Sequence, residues 1–296
     1  MNFSIAKLPN KIIKLSVAVV LMIALDANAV EWPGEVQLAV NITFDLDAET
    51  LWWDNPDTMA GNPSSLSQGN YGPTVAVPKI LALLSKHNVR ATFFIPSWVA
   101  EEYPDTVLAM VADGHEIAAH GVKHIPPVQL TPSEELNVFA ESIRVLTDIS
   151  GKKPLGYRAP AWAFSDVTLK MAAEHGFIYS SNMMNSDVPY VHAEPAGLVE
   201  LPVSWILDDA PYFWFDEGSW NKKIHSAASV KEIWQEEFSA AYEARGYLDL
   251  TMHPQIIGRP ARLKMLDDYI TWMKGFENVW FATCSEVAEH MQQIHD

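Results

Sequence analysis

Short continuous apolar runs alternate along this chain with segments whose apolar residues recur every three or four positions. The run Gln37–Phe44 is β-prone throughout and ends at Asp45, which predicts a strand covered on both faces. Pro78–His87 carries Ile80, Leu81, Leu83 and Leu84 at helical spacing. Further strands are predicted at Arg90–Ile95, His115–Ala119, Pro154–Arg158, Phe177–Ser181, Leu198–Leu207, Tyr247–Met252 and Val279–Ala282. Helices are predicted at Asp105–Ala112, Ser165–Glu174, Val230–Glu243, Arg262–Lys274 and Cys284–Gln292. One more runs from Thr131 to about Ile149, opened by the capping-box pattern Thr131…Glu134. Leu51–Pro73, rich in Trp, Asn, Gly and Pro, is too long for a simple connector and predicts a functional loop. No composition shift divides the alternation. It therefore predicts the α/β class, with one parallel, barrel-like domain over residues 30–296.

The first residues do not fit that alternation. Lys7, Lys11 and Lys14 precede an eleven-residue apolar run, Leu15–Leu25, and Ala27-Asn-Ala29 follows. A basic start, a short apolar middle and a small-x-small end predict a secretory signal peptide over 1–29. Eleven residues are too few to span about 30 Å of hydrocarbon comfortably as a helix. The mature chain is then expected in a periplasm or outside the cell, with no stable membrane insertion after cleavage. The 296 residues carry a formal charge of -17, which becomes -19 once the three lysines and Asp26 are removed. No broad face of such a chain would neutralise a phosphate backbone, so no nucleic-acid partner is expected. The single cysteine, Cys284, excludes an internal disulfide framework and a Cys-rich zinc site.

Chemistry-bearing residues collect at the carboxyl ends of the predicted strands, where barrel folds assemble their sites. Asp45 and Asp47 lie two apart, so on an extended strand they share a face, and paired carboxylates call for a cation or a positioned proton. A solvated strand end reads equally well from this motif alone. His120 and His124 are four apart, a spacing that can meet one metal, though with ten histidines in the chain it also arises by chance. Gly121 and Pro126-Pro127 place that pair on a loop. His115, at the start of a strand, reads as structural. Arg158-Ala-Pro-Ala-Trp162 could pair with a carboxylate and, through the rigid turn at Pro160 and the ring of Trp162, wall a pocket. His253 sits between a strand and Pro254.

Taken in chain order, Thr43-Phe-Asp-Leu-Asp47, His120-x-x-x-His124, Arg158-Ala-Pro-Ala-Trp162 and Leu250-x-x-His253 resemble the motifs of the polysaccharide deacetylase family, carbohydrate esterase family 4, with its NodB-homology domain. Trp205-Ile-Leu-Asp-Asp-Ala-Pro-Tyr212 and His253-Pro-x-x-Ile-Gly-Arg-Pro260 are similar to a branch of peptidoglycan-deacetylase-like and allantoinase- or cyclic-imidase-like proteins. The resemblance spans essentially the whole mature chain. It implies a deformed (β/α) barrel and a hydrolase of carbon–nitrogen bonds other than peptide bonds. It further implies Asp47, His120 and His124 as metal ligands, Asp45 as general base, Arg158 as the residue that orients it, His253 as general acid and Trp162 as an aromatic wall. The implied metal is a divalent cation, with Zn²⁺ suiting the ligand set and Co²⁺, Mn²⁺ or Ni²⁺ as alternatives.

Three positions depart from the family pattern. Leu46 separates two aspartates that are usually adjacent, Gly121 stands where Ser or Thr is common, and Ser180-Ser181 replaces an expected Asp. The last change leaves open what tunes Arg158 or His253. The expected reaction is N-deacetylation of an amino sugar in a cell-wall or extracellular glycan, with Trp52 and Trp53 as further stacking surfaces. A cyclic imide or ureide amidohydrolase is the alternative. A non-catalytic sugar-binding protein comes third, since Trp52, Trp53, Trp98, Trp214 and Trp220 could stack on pyranose rings. The partner is thus a glycan or a small amide, and the sequence leaves the oligomeric state open.

Overall fold

A parallel sheet forms around β1 (Leu38–Asp45), every residue of which is buried. The structure, a computed structural model, describes residues 30–53, 62–215 and 222–295. The expected signal peptide, residues 54–61 of the expected loop, and Trp220 lie outside the described residues. On one edge β1 pairs with β2 (Thr92–Ile95) and, lower down, with β9 (Val279–Ala282). On the other it pairs with β8 (Tyr247–Met252). From β2 the sheet runs on through β3 (Glu116–Ala119), β4 (Gly156–Tyr157), β5 (Tyr179–Ser180) and β7 (Val199–Glu200), and ends at the antiparallel edge strand β6 (Tyr190–Val191). The sheet curls into a deformed (β/α) barrel. Next to β8, a single parallel bridge joins Asp208 to Thr251.

Alternation along β1 divides two environments. Leu38, Val40, Ile42 and Phe44 pack outward with the surrounding helices, among them Val77–His87, Ala227–Glu243 and Pro260–Met273. Ala39, Asn41, Thr43 and Asp45 point the other way, into the barrel. There the polar groups satisfy one another, as buried polar atoms must. Asn41 donates to the Ala282 carbonyl at 2.7 Å, the Tyr247 hydroxyl donates to Asn41 at 2.6 Å, and Thr43 Oγ1 donates to Asp249 at 2.8 Å. A plug of Phe94, Tyr179, Val199, Leu201, Cys284, Val287 and Met291 fills the rest, so the C-terminal helix Cys284–His295 closes one end of the barrel.

Most predicted elements form where the pattern placed them. The helix Pro132–Ser150 begins with the full capping box of Thr131 and Glu134 and stops at Gly151, whose φ of 76° few other residues adopt cheaply. Two predictions need correction. Leu198–Leu207 is a strand only at Val199–Glu200, where it pairs with β5 and β6, and a 3₁₀ turn occupies Trp205–Leu207; Pro202, with no N–H to donate to a ladder, follows the paired stretch. Much of the expected loop Leu51–Pro73 is helical. A 3₁₀ turn covers Ala48–Trp52, and Asn62 caps a helix Pro63–Tyr71 by accepting the Ser65 N–H. Gly69 makes that packing feasible, since a Cβ there would lie 2.6 Å from the backbone of Ala48 and Glu49.

Candidate active site

The chain turns immediately after β1, so Asp47 reaches the centre of the site from a turn and not from an extended strand. Leu46 N–H donates to the Phe94 carbonyl at 2.9 Å, and Asp47 already has helical dihedrals at the head of the 3₁₀ turn. The inserted Leu46 is fully buried, and the two carboxylates it separates still converge. His120 Nε2 lies 3.4 Å from Asp47 Oδ1 and 3.8 Å from Asp45 Oδ2, and His124 Nε2 lies 3.7 Å from Asp47 Oδ1.

Asp47, His120 and His124 each offer a ligand atom within 4.8 Å of the others. Both Asp47 oxygens and His120 Nε2 are buried without a hydrogen-bond partner. Buried polar atoms are rarely left so, and a cation would satisfy all three at once. His120 Nδ1 sits 2.8 Å from the Arg158 carbonyl, which fixes the proton there and leaves Nε2 as a lone pair. Burial works against the ionised Asp47, yet His124, His120 and His253 outweigh it and hold its carboxyl well below the usual carboxylate range. Burial also lowers His124 to about 4, which keeps its imidazole neutral, the form that binds metals.

The loops carrying these side chains are bent into uncommon conformations. His124, Ala161 and Trp162 have φ of 57°, 54° and 53°. Left-handed non-glycine residues cost about 1–3 kcal/mol each and cluster at functional sites. Gly121, at φ 74°, explains one departure from the family pattern: Ser or Thr there would be strained. Pro160 is buried in the 3₁₀ turn that presents Ala161 and Trp162 to the site.

Arg158 crosses the barrel interior, fully buried. Nη1 donates to Asp45 Oδ1 at 2.8 Å and to Thr43 at 3.0 Å, while Nη2 donates to Ser181 at 2.8 Å and to Asp249 Oδ2 at 3.0 Å. The ring of Phe94 lies 4.0 Å beneath the guanidinium. Burial disfavours the cation, but Asp45 and Asp249 outweigh it and keep Arg158 charged. Nη2 is thus shared by the Ser181 hydroxyl and by Asp249, from β8, which supplies the second charge beside Asp45.

His253, at the end of β8, has a different anchor. Its Nδ1 lies 2.7 Å from Asp209 Oδ1, and its backbone N–H donates to the same carboxylate. Nε2 faces the site, 3.7 Å from Asp47 Oδ2. Burial disfavours the imidazolium, but Asp208, Asp209 and Asp47 reverse this and push His253 well above the usual imidazole value. Sequence reasoning missed Asp208, Asp209 and Asp249 as site residues. The segment Trp205–Tyr212 stands out in the sequence, but nothing local says that its Asp209 meets a histidine 44 residues later.

These groups line a cavity of about 200 Å³ walled by Asp45, Leu51, His124, Ala161, Trp162, Trp205, Asp208, Ala210, Trp214 and His253. Trp162 packs against half-exposed Trp205, with ring centroids 4.4 Å apart. Of the predicted stacking surfaces, Trp52 is buried and lies behind the wall, stacked on Trp214 at 4.9 Å. Trp53 packs edge-on against Trp98 and is not among the lining residues. The 3₁₀ turn faces only Leu51 into the cavity and turns Trp52 toward the interior.

Residues 69–180 match the family model described as polysaccharide deacetylase. A crystal structure of a Mycobacterium smegmatis protein assigned to the polysaccharide deacetylases is 38% identical, covers 91% of this chain and 95% of its own, and superposes with a TM-score of 0.86. The peptidoglycan deacetylase of Helicobacter pylori is 28% identical over 281 residues, which is 86% of this chain and 96% of that protein. The crystal structure of PuuE allantoinase is 25% identical, with a TM-score of 0.79 over 89% of this chain and 93% of that one.

Proposed function

This chain belongs to the polysaccharide deacetylase family and is a hydrolase of carbon–nitrogen bonds other than peptide bonds, and from that premise we propose that it removes the acyl group from an amino-sugar nitrogen in a cell-wall or extracellular glycan. The observation that carries the reading is the pair of differently anchored groups on either side of Asp47: Asp45 held by Arg158, and His253 held by Asp209. Hydrolysis of an amide needs a base for the water and an acid for the departing nitrogen, and a binding module needs neither.

Asp47, His120 and His124 would hold a divalent cation, for which Zn²⁺ suits two imidazoles and one carboxylate. When bound, such an ion acidifies water and polarises an acyl carbonyl. Arg158 fixes Asp45 Oδ1, which leaves Oδ2 facing the site to take the proton of the attacking water. His253 Nε2 delivers its proton to the nitrogen as the carbon–nitrogen bond breaks, and Asp209 steadies the imidazolium through Nδ1. The products are a carboxylic acid and the free amine. Trp162 and Trp205 offer flat apolar surface for a sugar face.

The cavity volume of about 200 Å³ favours a second reading, hydrolysis of a cyclic imide or ureide, which the likeness to an allantoinase also supports. The expected signal peptide weighs toward a glycan outside the cytoplasm. Metal-loaded enzyme should release acetate from N-acetylglucosamine oligomers or peptidoglycan fragments. Turnover of a cyclic imide or ureide with no acetate from any glycan would overturn the deacetylase reading.

A further inference from the structure

The turn Trp205–Asp209 does more than anchor His253. It is stitched to the end of β8 by the Asp208–Thr251 bridge and by the Asp209 N–H to the Thr251 carbonyl at 3.1 Å. Two adjacent aspartates are thereby set beside the site, and their surroundings differ. Asp209 is given over to His253, accepting both its backbone N–H and Nδ1. Nδ1 carries one proton, and at 3.8 Å Asp208 is too far to share it as a hydrogen bond. Asp208 Oδ1 instead accepts the Ala210 N–H at 2.6 Å. Its other oxygen has no hydrogen-bond partner among the described residues, although the residue is only 3% exposed and lines the cavity together with Asp45. A carboxylate kept at that depth with an open oxygen has to be satisfied by water or by what enters the cavity.

The rest of the wall narrows what that can be. Beyond Asp45, Asp208 and two histidines, the described residues of the wall are Leu, Ala and Trp, with no Lys or Arg among them. We propose that Asp208 is a substrate-selecting residue: its open oxygen accepts a hydrogen bond from a hydroxyl or N–H on the substrate, and its charge turns away substrates that carry a carboxylate next to the scissile amide. The proposal rests on the amide-hydrolase reading above and deepens it, because it favours neutral N-acetylglucosamine units over N-acetylmuramic acid units, whose lactyl carboxylate neighbours the acetamido group. Asp208 shares the cavity wall with Trp162 and Trp205, so flat stacking and acceptor recognition would act on the same sugar.

The test compares metal-loaded wild type, Asp208→Asn and Asp208→Glu on matched neutral and carboxylate-bearing substrates. It is run at pH 8, above the value of about 7 to which burial lifts the Asp208 carboxyl. Wild type should favour N-acetylglucosamine units over N-acetylmuramic acid units in kcat/KM by about tenfold or more. Asp208→Asn should shrink that ratio about tenfold, mostly through KM, and Asp208→Glu should largely restore it. Equal losses on both substrates in Asp208→Asn, as a purely structural or acid-tuning role would give, would overturn the proposal. So would a wild type indifferent to the carboxylate. If no glycan releases acetate, the amino-sugar reading fails by itself. The same variants are then compared on a cyclic ureide and its carboxylated analogue, where the same two outcomes decide.

Discussion

Replacing Asp209 with Asn tests the contribution of one charge, because Asn keeps an oxygen where His253 Nδ1–H needs an acceptor, removes the negative charge and gives up only the second, longer acceptance of the His253 backbone N–H. Asp209 Oδ1 lies 2.7 Å from His253 Nδ1 in a buried setting. A hydrogen bond to a charged group of this kind contributes about 1.5–3 kcal/mol, against about 0.5–1.5 kcal/mol for a neutral one. The difference, about 1–2 kcal/mol, corresponds to about one pH unit at 1.36 kcal/mol per unit. Because His253 is held above the usual imidazole value, its acid form is complete at low pH and is lost as pH rises through the folded-state value. Asp209→Asn should therefore leave kcat/KM near wild type on the acidic side and move the alkaline limb down by about one pH unit. Above that limb the variant should run about tenfold slower, while metal content stays unchanged. The assay is a full pH profile of kcat/KM on one substrate, with bound metal measured on the same samples. An alkaline limb in the same place for both proteins would refute His253 as the acid or Asp209 as the residue that tunes it.

Four other outcomes follow from the geometry. His120→Ala should lose bound metal by elemental analysis and also lose the thermal stabilisation that added metal gives wild type, about 2.7 kcal/mol at a free concentration 100 times Kd. Equal metal content in both would show that His120 is not a ligand. Asp45→Asn should retain metal and lose about 10²–10⁴ in kcat, and release of the metal would instead make Asp45 a ligand. Gly156→Ala should destabilise the barrel by about 1–3 kcal/mol or more in urea unfolding, because its Cβ would fall 1.7 Å from the ring of fully buried Tyr179; an unchanged midpoint would show that the strand can shift. When the protein is produced with native targeting, N-terminal sequencing should find Val30 first, and Met1 retained on a membrane-bound form would refute the signal-peptide assignment.

Local pattern was enough for the elements and for half of the site. The continuous β-prone run of β1, the helical spacing of Ile80 to Leu84 and the Thr131–Glu134 cap each depend on neighbours within a few residues, so the chain alone states them. Asp45 with Asp47 and His120 with His124 stand out as pairs for the same reason, but their spacing alone leaves a solvated strand end and a chance recurrence open, and only the family resemblance joins them into one site. His253 and Arg158 could be singled out as chemistry at a strand end, but not with their partners. Arg158 meets Asp249 91 residues later and Asp45 113 residues earlier, and both contacts exist only because β1 lies between β2 and β8. Asp208 and Asp209 likewise stand in the sequence only as part of a motif without a role, until the Asp208–Thr251 bridge carries them to the end of β8. Trp52 reads as a sugar platform until the 3₁₀ turn points its ring inward. The sequence determined by itself which groups could do the chemistry, because residue type and short-range spacing are written in the chain. Only the tertiary structure decided which carboxylate charges which cation and which aromatic ring faces the cavity, because those depend on the order in which distant strands lie side by side.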